Sequence, residues 1–575
     1  MTSKKDIART LDKIGVYLEL KGENPFKIRA YTNAARAIEN LGEDLSALIE
    51  ENRLNTIKGV GKALAEKIEI LVKTGDLPYV RELEESIPAG LIRMLSVQGL
   101  GPRKVRVLHQ KLGITTIGEL EYACVENRLL PLKGFGEKSQ KNILEGITHL
   151  KKYSEQHLLI EAEMVAGNQL DHIATLSGVR QCAVTGSIRR RRETIKDIDL
   201  TASCKPADRE TIMNAFVEYN SGADVLVRGK TKTSLRLESG IQCDLRLVED
   251  RAFPFALQHS TGSREHNTRL RSRAKALGLK MNEYGIFREQ ERVECRNETG
   301  IYQTLGLDFI PPELREDSGE IEAAESHSLP VLIEETDIRG MIHVHSTYSD
   351  GLNSIEELVH YCRGQGLEYL GLTDHSRSVT YAGGLLEDDV VRQQDEIDAI
   401  NSRLTDFVVL KGIECDILPD GSLDYSEEFL ERFDFIIASV HSSMRMPEDK
   451  MTERVIRAIR HPRVNILGHL TGRLLLAREP FAVDMERVIR ECAQHRTAVE
   501  INASPQRLDL DWRWGRTVVE NGVRISINPD AHAIDHFNFM KYGISTARKG
   551  WIAPEHVINT GGAVEFMTFC AKEKS

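Results

Sequence analysis

At 575 residues the chain is too long for one hydrophobic core, and typical domain sizes predict roughly three or four domains. Its formal net charge of −11 excludes a protein that coats nucleic acid through overall positive charge, so any nucleic-acid contact must come from local basic surface. The nine cysteines form no C-x-x-C pair, and no stretch approaches the roughly 20 apolar residues of a membrane span. Because the charged start MTSKKDIARTLDKIG is also unlike a secretory signal, we expect a reduced, soluble, cytoplasmic protein.

One pattern recurs three times near the start of the chain, in NTIKGVGKALAEKI, LSVQGLGPRKVRVL and LPLKGFGEKSQKNI. Each copy has a hydrophobic residue, G-x-G, a basic residue soon after, and then a helical pattern. Paired glycines make a tight turn between helices, and the exposed amides that open the second helix bind phosphate. The repeat therefore predicts helix-hairpin-helix motifs that hold a DNA backbone without reading sequence. The glycines concerned are Gly59, Gly61, Gly99, Gly101, Gly134 and Gly136.

The texture changes after residue 155. Residues 159–247 contain strand-like segments around a helix near 206–220, which predicts an α+β layer. Residues 251–315 resemble a small helical and loop module, and 313–337 hold nine acids against one arginine, as in an interdomain linker. From there to the end, about seven short apolar strands alternate with amphipathic helices, which predicts a parallel barrel-like α/β domain with histidines at its strand ends.

Three carboxylates are candidates for a metal site in the α+β layer. In KDIDL, Asp197 and Asp199 are two residues apart and project from one face of a strand, and Asp244 in IQCDLRLV belongs to another strand of the same layer. Like charges that cluster need cations, and two Mg²⁺ ions would align an attacking hydroxyl with a phosphorus atom. The alternative is an exposed sheet face that carries ordinary surface carboxylates.

A second constellation of candidate ligands lies in the last third of the chain, at H-V-H, YSDG, LTDHS, GIECD, ASVHS, LGHL and D-A-H. On a strand, H-x-H aims two imidazoles in one direction. A single histidine at a strand end is usually structural, but seven such positions on one barrel rim indicate a metal centre.

The stretch GSIRRRRETIKDIDL resembles the nucleotidyltransferase palm of the family X DNA polymerases, the family of DNA polymerase beta. The resemblance covers residues 1–315, including the segments TKTSLRLESGIQCDLRLV and Thr261-Gly262-Ser263. It implies that Asp197 and Asp199 bind both metals and that Asp244 helps to activate the primer 3′-hydroxyl. The implied nucleotide-binding residues are Gly186, Ser187 and Arg190 at the triphosphate, Gly262 and Asn267 beside the sugar and base edge, and Arg271 near the templating base. Arg191 and Arg192 receive no role from the resemblance.

Two features depart from the animal enzyme's pattern. His259-Ser260 replaces an aromatic pair, which bears on the exclusion of ribonucleotides, and Arg264 replaces an acidic residue, which we expect to strengthen nucleotide binding without DNA. Lys67 matches the position at which the family forms a Schiff base with an abasic sugar, so the resemblance implies a 5′-deoxyribose-phosphate lyase activity.

The C-terminal motif order resembles the PHP (polymerase and histidinol phosphatase) domain, whose mixed histidine and carboxylate site holds up to three metal ions and hydrolyses phosphoesters. The nine ligands that the resemblance implies are His343, His345, Asp350, His375, Glu414, His441, His469, Asp530 and His532. Nitrogen and oxygen donors of this kind suit Mn²⁺ or Zn²⁺.

Together the two resemblances imply a nucleoid-associated DNA polymerase that fills short gaps in DNA repair with Mg²⁺ or Mn²⁺. Because the sequence shows no partner-binding motif, a monomer is the default expectation. A PHP domain would process 3′ ends as a 3′–5′ exonuclease, or cut at abasic sites, and the partners would be gapped or nicked duplex DNA and deoxynucleoside triphosphates. The alternatives are a 3′-end-processing nuclease with a vestigial polymerase half, and a small-molecule phosphatase with an added DNA-binding region. The expected domains are a lyase-like helical domain (1–80), a helical fingers-type domain (81–155), the palm (156–250), the thumb (251–315), an acidic linker (316–336) and a distorted (β/α)7-like PHP barrel (337–575).

Overall fold

A computed structural model describes residues 4–39, 41, 45–51, 53–57, 59–125, 129–130, 132–153, 156–476 and 479–571. The chain divides into two compact units, Met1–Glu155 and Gln156–Ser575. Among the described helices, none combines the length and the apolar character that a membrane crossing requires.

The first unit is helical throughout its described part. Its helices are α1 (Lys4–Lys21), α2 (Pro25–Glu39), α3 (Leu45–Glu50), α4 (Lys62–Thr74), α5 (Pro78–Glu85), α6 (Ala89–Met94), α7 (Pro102–Leu112), α8 (Ile117–Val125) and α9 (Glu137–Tyr153). Their apolar faces meet in one core that includes Leu11, Ile38, Ile68 and Leu108, all fully buried.

The three G-x-G repeats share one turn geometry. The first glycine of each pair, at 59, 99 and 134, has φ of +92°, +88° and +93°, a backbone conformation that side chains with a Cβ rarely adopt. The apolar residue between the glycines is buried in each case, as Val60, Leu100 and Phe135. Gly61 and Gly101 then start α4 and α7 without a capping side chain, so the first amides of these helices lack a side-chain cap. The predicted helix-hairpin-helix turns are confirmed.

The second unit begins with the predicted palm, a five-stranded sheet of order β2-β4-β7-β6-β5. Its elements are β1 (His157–Leu158), α10 (Leu159–Thr175), β2 (Gln181–Val184), α11 (Gly186–Arg189), β3 (Thr194–Ile195), β4 (Asp197–Ser203), α12 (Arg209–Tyr219), β5 (Asp224–Arg228), β6 (Lys232–Arg236) and β7 (Gln242–Val248). On β4 and β7, apolar residues such as Ile198, Leu200 and Leu245 alternate with the aspartates and pack into the core beneath the sheet. The α+β layer is confirmed.

The next module is small, with a three-stranded antiparallel sheet. It comprises α13 (Phe253–Thr261), α14 (Arg264–Ala276), β8 (Lys280–Asn282), β9 (Gly285–Arg288), β10 (Glu291–Val293) and α15 (Glu298–Thr304). The acidic segment predicted as a linker follows it and contains α16 (Glu320–Glu325), whose Ile321 and Ala324 pack into the same core as Leu270 and Ile301. The segment is therefore packed rather than extended, because its acids are paired, as between Glu320 Oε1 and His266 Nδ1 at 2.6 Å.

The rest of the unit is a seven-stranded parallel sheet of order β11 to β17. Its elements are β11 (Gly340–Val344), α17 (Ile355–Gly364), β12 (Tyr369–Leu372), α18 (Glu387–Asn401), β13 (Val408–Asp416), α19 (Glu427–Leu430), β14 (Phe435–Ser439), α20 (Glu448–Ile459), β15 (Ile466–Leu467), α21 (Met485–His495), β16 (Ala498–Asn502), α22 (Gly515–Glu520), β17 (Ile525–Asn528), α23 (Met540–Lys549) and α24 (Ala563–Cys570). Val344 and Ala531 form a parallel bridge that joins the first strand to the end of the last. The sheet is therefore a nearly closed barrel, as predicted, and its strand ends share one rim.

Candidate functional site

The three palm carboxylates lie side by side on two adjacent strands. Strands β4 and β7 pair in parallel, with Asp199 directly opposite Asp244 and Asp197 opposite Gln242. Since side chains two residues apart project from the same face, all three carboxylates point to one side of the sheet. Asp244 is only 6% exposed, so this is not an open surface of ordinary carboxylates.

The palm cluster carries more negative charge than its surroundings neutralise. Burial, with the charges of Asp197 and Asp244, raises the pKa of Asp199 to about 6, and burial and Asp244 also raise the pKa of Asp197. Lys232 Nζ lies 2.6 Å from Asp244 Oδ2, and the Gln242 amide donates to Asp244 Oδ1 at 3.0 Å. Such an oxygen-rich, charge-deficient cluster fits divalent cations of the Mg²⁺ type.

Gly186, the first residue of α11, allows the backbone to approach these carboxylates. Its φ is +62°, and a Cβ atom at this position would lie 2.3 Å from Asp199 Oδ2. Ser187 follows it in α11. A side chain at position 186 would therefore displace a carboxylate of the cluster.

Arg189 and Arg190 contact the thumb in this structure. Arg189 forms a two-pronged ion pair with Glu298 and donates to Thr261 Oγ1 at 2.7 Å. Arg190 donates through Nε to Glu316 Oε1 at 3.1 Å and through a terminal nitrogen to the Thr261 carbonyl oxygen at 2.7 Å. The triphosphate role of Arg190 stays a prediction.

The thumb residues that the sequence singled out lie around the end of α13. The Asn267 side-chain amide donates to the His259 carbonyl oxygen at 2.6 Å, and a Cβ atom at Gly262 would lie 2.9 Å from Asn267 Oδ1. His259 and Ser260 share a cavity of about 200 Å³ with Asp199 and Asp244. His259 and Ser260, which replace the aromatic pair, are thus next to the carboxylate cluster.

The structure also describes three other predicted residues. Arg264 and Arg271 are exposed on α14. Lys67 is half-buried on α4 of the first unit, with Nζ 4.9 Å from the centre of the Tyr79 ring. Its Schiff-base role stays a prediction.

On the barrel rim, the structure brings all nine predicted PHP ligands together. They form four overlapping groups in which the ligand atoms lie within 4.8 Å of one another. The groups are His345, Asp350, His375 and His532; His343, His469 and Asp530; His343, His345 and Glu414; and His375, Glu414 and His441.

Glu414 lies at the centre of these groups. Its Oε1 is 2.9 Å from His469 Nε2 and 3.3 Å from His441 Nε2, and its Oε2 is 2.8 Å from His375 Nδ1. Although burial disfavours the charged form, His441, His343 and His375 hold the pKa of Glu414 well below its usual range. One carboxylate therefore contacts several imidazoles, as a bridging ligand would.

The donor atoms of the rim fit metal ions. His343 Nε2 and both ring nitrogens of His345 are buried and have no hydrogen-bond partner among the described residues. Buried polar atoms without partners are costly, and metal coordination would satisfy these. His343 and Asp530 have φ of +60° and +53°, the kind of backbone strain that collects at functional sites.

Sequence reasoning missed the residue that orients the first of these ligands. Glu500 Oε1 lies 2.5 Å from His343 Nδ1 and accepts from the Asn528 amide at 2.7 Å, while Glu500 Oε2 accepts from the His469 backbone N–H at 2.6 Å. Glu500 is fully buried on β16. The available signal was a charged residue within the apolar strand AVEIN.

Replacing Glu500 with glutamine is expected to weaken metal binding at the rim about 10- to 100-fold, because the charged acceptor that fixes the His343 ring is lost. Competition against a chelator would measure this affinity. The control is Glu520→Gln, since Glu520 is exposed on α22. Equal affinities in the parent and Glu500→Gln would show that Glu500 does not support the site.

Four family models match the chain. They are a helix-hairpin-helix domain (2–77), a SAM-like helix-hairpin-helix tandem (91–148), the DNA polymerase beta thumb (256–316) and the PHP domain (342–504). Together with the two sites, these matches define a nucleotidyltransferase of the polymerase beta type joined to a PHP phosphoesterase.

Comparison with known proteins narrows this class. The DNA polymerase/3′-5′ exonuclease PolX of Bacillus subtilis is 38% identical over 565 residues, 97% of each chain. The chain therefore belongs to the bacterial family X DNA polymerases with a C-terminal PHP domain.

Two further matches are partial. A probable phosphatase of Thermoanaerobacter sp. (strain X514) is 26% identical over 230 residues, which is 38% of this chain and 89% of the phosphatase. A crystal structure of Leishmania infantum polymerase beta, in a ternary P/T complex, is 22% identical with a TM-score of 0.27, covering 40% of this chain and 99% of that one.

Proposed function

We propose that the protein fills short gaps in DNA during repair and processes 3′ ends with its PHP domain. It is a DNA polymerase with a 3′–5′ exonuclease, like its full-length relative. The observation that supports this function is the presence of two candidate sites in one chain: three aligned carboxylates on β4 and β7, and nine candidate ligands on the barrel rim.

In the palm, Asp197, Asp199 and Asp244 would hold two Mg²⁺ or Mn²⁺ ions, which when bound supply Lewis-acid stabilisation of the reacting phosphate. The paired strands β4 and β7 hold these side chains in fixed register. Asp244 is the proposed acceptor of the primer hydroxyl proton, and its Oδ2 pairs with Lys232 Nζ at 2.6 Å. Ser187 and Arg190 are proposed to bind the triphosphate, with Gly262, Asn267, Arg264 and Arg271 near the base and template.

On the rim, the nine ligands would hold up to three Mn²⁺ or Zn²⁺ ions, which when bound activate water for attack on a phosphoester. Glu500 Oε1 contacts His343 Nδ1, and the His441 backbone N–H donates to Asp416 Oδ1 at 3.0 Å. These outer contacts keep the imidazoles in place. Besides 3′-terminal nucleotides, abasic sites are proposed substrates.

The helix-hairpin-helix turns are the proposed grip on gapped or nicked duplex DNA. At Gly61, Gly101 and Gly136, a Cβ atom would meet nothing within 4 Å, so the backbone is open to the approach of a phosphate. Contacts with phosphate depend on charge rather than on base sequence, so DNA binding should weaken steeply as the salt concentration rises. We also propose that the protein acts as a monomer. Because its substrate is DNA, we propose that it acts at the nucleoid.

Replacing Gly101 with alanine is expected to weaken binding of gapped DNA about fivefold, or about 1 kcal/mol, because the methyl group occupies the phosphate approach. Its φ of −101° suits alanine, so the melting temperature should not change. Gly99→Ala should instead lower stability by about 1 kcal/mol, because φ is +88° there. Fluorescence anisotropy and thermal melting give the two readouts, with Gly364→Ala on α17 as the control. Unchanged DNA affinity in Gly101→Ala would exclude this turn from the grip.

The function is tested with a one-nucleotide-gapped duplex and Mg²⁺ or Mn²⁺, with and without deoxynucleotides. We expect extension when nucleotides are present and shortening of the 3′ end when they are absent. A protein that only shortens the primer is the nuclease with a vestigial polymerase half. One that hydrolyses only small phosphomonoesters is the phosphatase, a function suggested by relatives that match 38% of this chain or less.

A further inference from the structure

The four consecutive arginines, Arg189–Arg192 (the arginine run), lie where the polymerase half meets the barrel within the second unit. Three glutamates of the polymerase half each contact both an arginine of this run and a residue of the barrel. Glu163 pairs with Arg191 and accepts from Tyr542, Glu193 lies near Arg192 and accepts from Trp512 and Arg513, and Glu316 pairs with Arg190 and Lys549. The run is therefore connected to the barrel through shared acids.

Lys549 is the most buried of the barrel residues in these contacts. It is the last residue of α23, is 1% exposed, and its Nζ lies 2.5 Å from Glu316 Oε1. It also donates to the carbonyl oxygens of Arg190 at 3.0 Å and Glu313 at 3.3 Å. Burial lowers the pKa of Lys549 to about 8, although Glu316 counters this effect. Burying an ammonium group costs free energy. The close contacts of Lys549 with Glu316 and Arg190 are therefore candidates for a functional role.

Arg190 connects the same acid to the polymerase site. Its Nε donates to Glu316 Oε1, the oxygen that Lys549 also contacts. Arg190 is also near enough to Asp199 for its charge to favour the ionised carboxylate. A triphosphate bound at the palm metals would therefore compete with Glu316 for the Arg190 guanidinium.

We propose that Lys549 is a positioning residue for nucleotide binding, which holds Glu316 so that Arg190 is free to bind the triphosphate. The phosphoesterase domain thereby supplies a part of the polymerase's nucleotide site. Without Lys549, only Arg190 and Arg192 would neutralise Glu316. Moving Arg190 from Glu316 to the triphosphate would then cost more free energy. This inference rests on the proposed function, because the triphosphate role of Arg190 belongs to it.

The test is gap filling at saturating gapped DNA with varied deoxynucleotide concentration. We expect Lys549→Met to raise the KM for the nucleotide about tenfold, the usual effect of losing a charged hydrogen-bond partner, with kcat within about twofold of the parent. Glu316→Gln removes the competing acid and should lower that KM about threefold. The double variant should resemble Glu316→Gln, since Lys549 acts through that acid.

Lys541→Met is the matched control. Lys541 is on the same helix and also pairs with a glutamate of the polymerase half, but this is Glu163, at 3.3 Å. Its variant should keep the parent's nucleotide KM, and an equal rise in both lysine variants would overturn the proposal in favour of general loosening of the interface.

The remaining outcomes separate the inference from the function. If the parent fills no gap, the proposed polymerase function fails. If the parent fills gaps and a folded Lys549→Met keeps the parent's KM, the positioning role is wrong. Should thermal melting show that Lys549→Met does not fold, Glu316→Gln decides, and a KM equal to or above the parent's overturns the proposal.

Discussion

Replacing Asp199 with asparagine should abolish gap filling, with a loss of about 10³-fold or more in rate, and leave 3′-end degradation unchanged. Burial, together with the charges of Asp197 and Asp244, raises the pKa of Asp199 to about 6, and the same carboxylate charges would attract the cations. The asparagine keeps the size of the side chain but removes one anionic ligand, so metal-dependent stabilisation of the reacting phosphate is lost.

Primer extension on the one-nucleotide gap measures this effect, and release of 3′-terminal nucleotides without deoxynucleotides measures the other activity. Asp224→Asn is the matched control, because Asp224 is exposed on β5 of the same sheet. Extension by Asp199→Asn at the parent's rate would place the polymerase chemistry elsewhere. Loss of both activities together would point to damaged folding rather than to a missing ligand.

The reciprocal change, Glu414→Gln, should abolish 3′-end degradation by about 10³-fold or more and leave gap filling unchanged. Glu414 contacts imidazoles on both of its oxygens and belongs to two of the four ligand groups. Its loss therefore weakens more than one metal position at once, and the ions that activate water are no longer held.

Metal analysis after dialysis provides a second readout, since Glu414→Gln should retain less Mn²⁺ or Zn²⁺ per chain than the parent. Glu428→Gln, on the exposed side of α19, is the control. A variant that still degrades 3′ ends at the parent's rate would show that the nuclease lies outside the barrel rim. With Asp199→Asn, this pair assigns each activity to its own site.

The motifs that could be predicted from sequence are those set by local geometry. A strand period of two places Asp197 beside Asp199, whatever the rest of the fold. A G-x-G turn needs a positive φ at its first glycine, and all three repeats have one. The alternation of strands and helices was likewise enough to predict the barrel, and a barrel gathers its strand ends on one rim.

Other features depended on partners far apart in the chain. The acids at 313–337 suggested a solvated linker, yet Glu320 is buried and the Glu316 side chain is only 9% exposed, because Arg190, Lys549 and His266 reach them from other modules. Glu500 is an acid within an apolar strand, and its contacts with His343, Asn528 and the His469 backbone explain it. Composition along the chain gives no information on such pairs.

The arginine run shows the division most clearly. By itself, the sequence determined that four guanidinium groups precede a D-x-D strand, and so that basic and acidic groups would lie close together. Only the tertiary structure decided that Arg190, Arg191 and Arg192 pair with acids shared with the barrel. The reason is physical: strand and turn periodicities are written in neighbouring residues, whereas the partner of a buried charge is set by which distant surfaces pack together.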